Sequence, residues 1–122
     1  RQPPCPEYAD HPGRQAFFAA VTEAMDAAGV DALVHPSWTH PPAPLDRADV
    51  EYRGDNSQRV APATGMPAVT VPMGFTRAGT LPAGLQLLGR RWDDGLLIQF
   101  AYAYEQATRH RRPPPAFPPL GR

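Results

Sequence analysis

Proline placement is the feature that most restricts the fold of this chain. Seventeen of its 122 residues are proline, and most fall in the three stretches RQPPCPEY, HPSWTHPPAPL and RRPPPAFPPLGR. Proline fixes φ and has no N–H to donate, so helices and central strands do not run through such clusters. We therefore expect regular structure between the clusters and long loops within them.

The first segment between clusters predicts a helix followed by a strand. Apolar residues recur at spacings of three and four between Gly13 and Ala28, as they do on one helical face. Pro12 suits the first turn of this helix, and Gly29 suits the position just after its last turn. The run VDALVHP is short and apolar, which predicts a strand buried on both faces. On the helix, the expected buried face consists of Phe17, Val21, Ala24, Met25 and Ala28.

A long connection and a short helix are expected next. The stretch SWTHPPAPLDRADVEYRGDN has no sustained helical or strand period, and so long a connection in a compact domain is usually either functional or a misassigned regular element. After it, NSQRVAPATG predicts a short helix that Asn56 or Ser57 caps and that Gly65 ends, with Pro62 limiting its length.

The second half of the chain predicts a hairpin. PAVTVPMGF and AGLQLLGR have the composition of two strands, although Pro72 weakens the first. Gly79 lies in the turn between them, where it is free to adopt positive φ. With the earlier strand this gives about three strands, which cannot easily enclose a core of their own.

A final helix follows the hairpin. Asp93 or Asp94 is expected to cap it, the basic run RHRR to complement its dipole, and Pro113 to stop it. Trp92 is expected to pack under this helix. The apolar face expected for the helix consists of Leu96, Leu97, Phe100, Ala101, Tyr104 and Ala107.

Charge and cysteine content exclude several classes of function. Twelve acidic residues balance twelve basic ones, so nothing favours a nucleic acid or an anionic membrane as a partner. All twelve of these basic residues are arginine, so the chain lacks lysine, the commonest amine for Schiff-base chemistry and the base of Ser-Lys hydrolases. The single Cys5 cannot form an internal disulfide, and we expect a cytoplasmic setting. Because the chain begins with Arg1, we expect it to be a fragment.

The residues that could act as nucleophiles, bases or metal ligands form no recognisable site. Two serines, four histidines and the one cysteine are present, but none has the strand-to-helix elbow of a serine hydrolase or the spacing of a metal site. His35 and His40 flank a Pro-rich loop and do not share a helical face. Trp38 in that loop is a candidate for lining a pocket.

Four motifs together resemble a known family. DALVHPSWTHPPAP, TGMPAVTVPMGF, PAGLQLLGRRWDDGLLIQFAYAYEQAT and the closing RRPPP resemble, in order and spacing, the C-terminal part of amidase signature family hydrolases. The resemblance covers about Gly13 to Pro115, and the pair GMPAVTVPMGF and GLQLLGRRWDD is its specific part.

The resemblance implies an α/β fold. The chain is expected to be the C-terminal portion of the amidase signature fold, with two to three helices packed on part of a mixed β-sheet that has about three strands in this chain. Residues 1–122 would then be a C-terminal fragment of a single amidase-type domain. Its Pro-rich ends, residues 1–12 and 113–122, are expected to be poorly ordered.

The resemblance also implies an activity. Family members hydrolyse carboxylic amides, or move ammonia from glutamine to another acceptor, with a serine nucleophile, a second serine and a lysine base. None of these catalytic residues can be placed on this sequence, so the chain alone is predicted to be inactive and no metal or cofactor is expected. Its expected partners are the upstream part of the same domain and a small amide substrate.

Three residues are implied as candidates for the wall of the substrate pocket. Gln58, Ala61 and Trp38 are expected near a bound acyl group, and Pro62 stands where many members have asparagine. The alternative to an amidase fragment is a non-catalytic module that binds a protein partner through an exposed sheet edge or its Pro-rich tails.

Overall fold

A computed structural model describes residues 7, 10–54, 57–76, 79–114 and 116–117. The fold is α/β with three strands, as predicted, and with four α-helices where two to three were expected. Two of the four are single turns, which a sequence period cannot reveal. In chain order the elements are α1 Pro12–Ala28, β1 Ala32–Pro36, α2 Ala48–Glu51, α3 Val60–Thr64, β2 Ala68–Thr76, β3 Leu81–Gly89 and α4 Asp94–Thr108.

The three strands form one antiparallel sheet in the order β1-β3-β2. The predicted hairpin of β2 and β3 is confirmed, and Gly79 in its turn has φ of 86°. β2 runs through Pro72 because it is an edge strand of this sheet and because its register shifts between Pro72 and Gly74, a β-bulge. The hairpin thus places β3 at the centre.

The expectation that β1 is buried on both faces is wrong. β1 is an edge strand, and its Val34 is 62% exposed. The reason is the position of α4, which packs mainly on β2 and β3 and leaves the outer strand uncovered.

Two apolar clusters lie on opposite faces of the sheet. On one face, Val71 and Leu87 pack with Leu97 and Ala101 of α4. Leu88 points to the opposite face, because side chains alternate along a strand. There it packs with Met25 of α1 and with Met66, and the partly buried residues around them include Phe18, Val21, Leu33 and Val60. The buried face predicted for α1 is therefore only partly correct. Val21 and Met25 lie on it, Phe18 takes the place of Phe17, which is 40% exposed, and Ala24 and Ala28 are exposed.

Two helices end at the glycines predicted for them, whereas the predicted N-cap of α3 is wrong for Ser57. Gly29 and Gly65 end α1 and α3 in the left-handed conformation, with φ of 63° and 69°. α3 is preceded by a 3₁₀ turn, Ser57–Arg59, so Arg59 and not Ser57 stands at its N-cap. The other predicted cap, Asn56, lies outside the described residues.

The last helix begins as predicted but ends earlier. Asp93 is the N-cap of α4, although its side chain makes no capping hydrogen bond. Arg109 ends the helix with φ of 49°, so Pro113 does not stop it, and the basic run RHRR follows the last turn instead of lying in it. A left-handed cap at a non-glycine residue has no reliable sequence signal.

The expectation that Trp92 packs under α4 is also wrong. Trp92 is 91% exposed and has φ of 73°. The chain turns sharply between β3 and α4, and this turn directs the indole away from the core.

This geometry predicts that Trp92→Gly raises the free energy of unfolding by about 1 kcal/mol, because glycine adopts left-handed φ without the steric cost that a side chain pays. Trp92→Ala is the matched control, since it removes the same indole but keeps Cβ. Urea unfolding followed by circular dichroism compares them. Equal effects of the two substitutions would contradict the assignment of the cost to the backbone.

The predicted Pro-rich ends, residues 1–12 and 113–122, lie largely outside the described residues, as does Cys5. The described residues of these ends are 7, 10–12, 113–114 and 116–117, and Pro12 is the first residue of α1. Just before the second end, the guanidinium of Arg112 lies 4.0 Å from the centroid of the Phe75 ring. Within the described ranges, no helix has both the length and the apolar character needed to cross a membrane.

Candidate substrate pocket

The long connection between β1 and α3 forms most of a cleft of about 730 Å³. We call it the Trp38 cleft. Its walls are the loop of residues 36–43, the start of β3 at Pro82–Gly84, Ala48 with Tyr52 and Arg53, and Met73 with Thr76 of β2. The aperiodic connection SWTHPPAPLDRADVEYRGDN therefore builds most of this cleft. Its length was the reason to expect a function for it.

Close packing against β3 fixes where the cleft loop begins. The backbone N–H of Ser37 donates to the carbonyl oxygen of Gly84 at 2.7 Å, which extends the β1–β3 ladder by one bond. A Cβ on Gly84 would lie 2.7 Å from Ser37 Oγ and 2.8 Å from Thr70 Cγ2. Only glycine therefore lets the loop approach the sheet this closely.

Two aromatic side chains join the far ends of the connection. The ring centroids of Trp38 and Tyr52 are 6.4 Å apart with an interplanar angle of 45°. This separation is within the range of favourable aromatic pairs. Both rings remain partly exposed in the cleft, at 37% for Trp38 and 62% for Tyr52.

The basic side chains among the described residues that line the cleft are an arginine and a histidine. Arg53 and His40 contribute to the lining, and no carboxylate is among the described residues that form it. The Nδ1 atom of His40 lies 2.9 Å from the hydroxyl oxygen of Thr39. By contrast, the neighbouring Arg47 forms an ion pair with Glu51 at 2.8 Å.

A second cleft of about 460 Å³ lies between α3 and the start of α4. Its lining includes Ala61, Pro62 and Trp92. Arg91 also lines it, but this side chain has a structural role. Its Nε donates to the Thr64 carbonyl oxygen at 3.1 Å, and its guanidinium lies 3.7 Å from the centroid of the Phe18 ring, so it ties α3 to α1.

The three residues predicted for the pocket wall do not meet in one cleft. Trp38 lines the larger cleft and Ala61 the smaller one. Gln58 lines neither, and its Oε1 atom is buried without a hydrogen-bond partner among the described residues. Their role in substrate binding stays a prediction.

Tyr52 and Arg53 are cleft residues that were not predicted from the sequence. The only sequence signal for them is that an aromatic and a basic residue lie near the end of an aperiodic loop. This signal is weak, because the sequence does not show that the loop folds back on Trp38. In the part of the chain that the structure describes, no three His, Cys, Asp or Glu side chains gather as a possible metal site.

Comparison with known proteins identifies the family. The sequence model of the family described as Amidase matches residues 11–98, which is most of the chain. Among curated proteins, a glutamyl-tRNA(Gln) amidotransferase subunit from Ruegeria sp. (strain TM1040) is 40% identical over 91 residues, covering 70% of this chain and 18% of that protein. Its counterpart from Thermodesulfovibrio yellowstonii is 50% identical over 44 residues, covering 36% of this chain and 9% of that protein.

Solved structures give the same result. The crystal structure of PAM12A superposes with a TM-score of 0.68 at 39% identity, covering 83% of this chain and 21% of that chain. The peptide amidase PAM, solved in complex with the competitive inhibitor chymostatin, superposes with a TM-score of 0.62 at 36% identity and the same coverage of 83% and 21%. This chain thus spans about a fifth of the length of these structural relatives. It belongs to the amidase family, which confirms the resemblance drawn from its motifs.

Proposed function

We propose that this chain forms the C-terminal part of an amidase domain that hydrolyses the carbon-nitrogen bond of carboxylic amides. The chain supplies strands of the central sheet and a wall of the substrate pocket. An upstream part of the same domain, which is the proposed partner, supplies the nucleophile and the base. The observation that carries this proposal is family membership combined with coverage of only about a fifth of the structural relatives.

The open edges of the sheet support a partner of this kind. Within the described residues β1 and β2 each pair on one side only, because both lie outside β3. A three-stranded sheet with two unpaired edges is a marginal structure and a template for further strand pairing. Val34 on β1 is largely exposed, as expected for a residue that a neighbouring element covers in a larger domain.

The chemistry of the chain supports a catalytic centre outside it. Amide hydrolysis by a serine requires a base that removes the hydroxyl proton and donors that stabilise the oxyanion. Ser37 is not activated in this way, because its Oγ donates to Thr70 Oγ1 at 3.4 Å and a second hydroxyl is not a base. The sequence also contains no lysine.

Hydrolysis is preferred to ammonia transfer because one structural relative, whose superposition covers 83% of this chain and 21% of that chain, is a peptide amidase. The curated relatives favour a second candidate, since they are amidotransferase subunits. In either reaction this chain would have the same position in the fold.

We also propose a cytoplasmic setting, which the single cysteine supports, and we include neither nucleic acid nor membrane among the partners.

A non-catalytic binding module is the remaining alternative, and the two unpaired sheet edges are the observation that favours it. A monomeric chain that is as stable by itself as it is within a completed amidase domain would support this alternative, since a self-sufficient module gains no stability from the rest of the domain.

The proposal predicts that the 122-residue chain alone hydrolyses no amide. Ammonia release from peptide amides, benzamide and glutamine should equal the buffer rate, because nucleophile and base are absent. Ser57→Ala and Ser37→Ala should leave this result unchanged. Activity of the isolated chain that Ser57→Ala abolishes would overturn the proposal.

A further inference from the structure

We infer that the Trp38 cleft recognises a ligand that combines an aromatic ring with a carboxylate, and that Arg53 pairs with the carboxylate. The inference deepens the proposed function and rests on it in one respect: in the completed enzyme this ligand would be an amide substrate that carries a separate carboxylate.

The size and the walls of the cleft suit an aromatic body. Its volume of about 730 Å³ is within the range of small-molecule pockets. Trp38 and Tyr52 offer partly exposed ring faces, and most of the remaining lining is proline, alanine and methionine. Pro36, Pro41 and Pro42 restrict the backbone of the cleft walls. Ligand binding therefore costs little conformational entropy of the chain.

The charge of the cleft selects an anion. Arg53 forms no ion pair or hydrogen bond with any described residue, and no described carboxylate lines the cleft. Arg47, six positions earlier, shows that an arginine of this segment is neutralised where an acid lies within reach. A guanidinium keeps its proton at all ordinary pH values and matches a carboxylate with two parallel hydrogen bonds. A neutral ligand would leave this guanidinium without a charged partner among the described residues.

A pair of nearly isosteric probes tests the inference on the chain itself. The probes are 3-phenylpropanoate and 3-phenylpropanamide. They differ in the negative charge with which Arg53 is proposed to pair. The chain carries Trp92→Phe, so that Trp38 is its only tryptophan and reports binding through its fluorescence. We expect the acid to bind about tenfold more tightly than the amide, as for one charged hydrogen-bonded pair.

Two substitutions locate the effect. Arg53→Gln should weaken binding of the acid about tenfold and leave the amide unchanged, so that the preference disappears. Arg111→Gln is the matched control, because it removes an exposed arginine beyond α4 and outside the cleft, and it should preserve the preference. Circular dichroism verifies that both variants keep the parent fold, which exposed positions should tolerate.

Equal binding of acid and amide, an acid preference that survives Arg53→Gln, or no saturable binding of either probe would each overturn the inference. These results are independent of the proposed function, because the isolated chain performs no chemistry in this assay. Probe binding with the predicted preference, combined with an inactive completed domain, would instead reject hydrolysis and retain the ligand class.

Discussion

Leu97→Ala should lower the free energy of unfolding of this chain by about 2–5 kcal/mol, the usual cost of removing a fully buried leucine side chain. Leu97 is 1% exposed and packs α4 onto Val71 and Leu87 of the sheet. The truncated side chain would lose these contacts and leave a cavity between the helix and the sheet. Urea unfolding monitored by circular dichroism measures the loss.

Ile98 provides the matched control for Leu97. It is the next residue of the same helix and is 64% exposed. Ile98→Ala should therefore change the free energy of unfolding by less than about 0.5 kcal/mol. Similar losses at positions 97 and 98 would mean that α4 does not pack on the sheet through the face that contains Leu97.

Gly89 gives this packing a second, independent check. A Cβ at this position would lie 2.8 Å from Leu97 Cγ and 3.0 Å from its Cδ2 atom. Gly89→Ala should accordingly cost about 1–3 kcal/mol through overpacking. In the Leu97→Ala background the added methyl enters the vacated space, so the cost should shrink or vanish. A double-mutant cycle with no coupling between the two positions would contradict the contact.

The long helices were predictable because their apolar periods are long enough to be read. α1 shows residues that recur over four turns and ends at Gly29, whose left-handed φ matches its sequence signal. The predicted face was correct at Val21 and Met25, but Phe18 and not Phe17 packs against the core. Ala24 and Ala28, also predicted for this face, are exposed. Adjacent aromatic residues offer two registers, and only the tertiary packing of Met25 and Leu88 selects one.

The incorrect expectations concern properties that depend on distant parts of the chain. VDALVHP has the composition of a buried strand, and the exposure of Val34 follows from where α4 lies across the sheet. Trp92 lies three residues after the end of a largely buried strand, but the left-handed backbone at this residue turns its side chain outward. Neither the exposure of Val34 nor that of Trp92 can be read from the residues adjacent to it in the sequence.

The cleft was predictable only in part. The length of the aperiodic connection indicated a functional loop, and Trp38 indicated a pocket within it. The pairing of Trp38 with Tyr52 spans a connection whose path depends on Gly84 and the antiparallel alignment of β1 with β3. Arg53 becomes noticeable once this path places it beside two aromatic rings and away from described carboxylates.

The prediction with the largest expected effect concerns activity. A protein that joins the peptide amidase PAM to this chain, in place of the matched 21% of PAM, should hydrolyse amides. The reason is that PAM would supply the groups that this chain lacks, while the superposed strands would complete its sheet. We expect turnover within about 100-fold of intact PAM, because small misplacements at a joined site cost up to about that factor.

The central claim is tested most directly by measuring ammonia release from a C-terminal peptide amide. The measurement compares the joined protein with PAM that lacks the matched segment and with the 122-residue chain alone. The account predicts activity in the joined protein and none in the two separate parts. A joined protein that unfolds cooperatively, like intact PAM, yet releases ammonia no faster than the shortened PAM would contradict it.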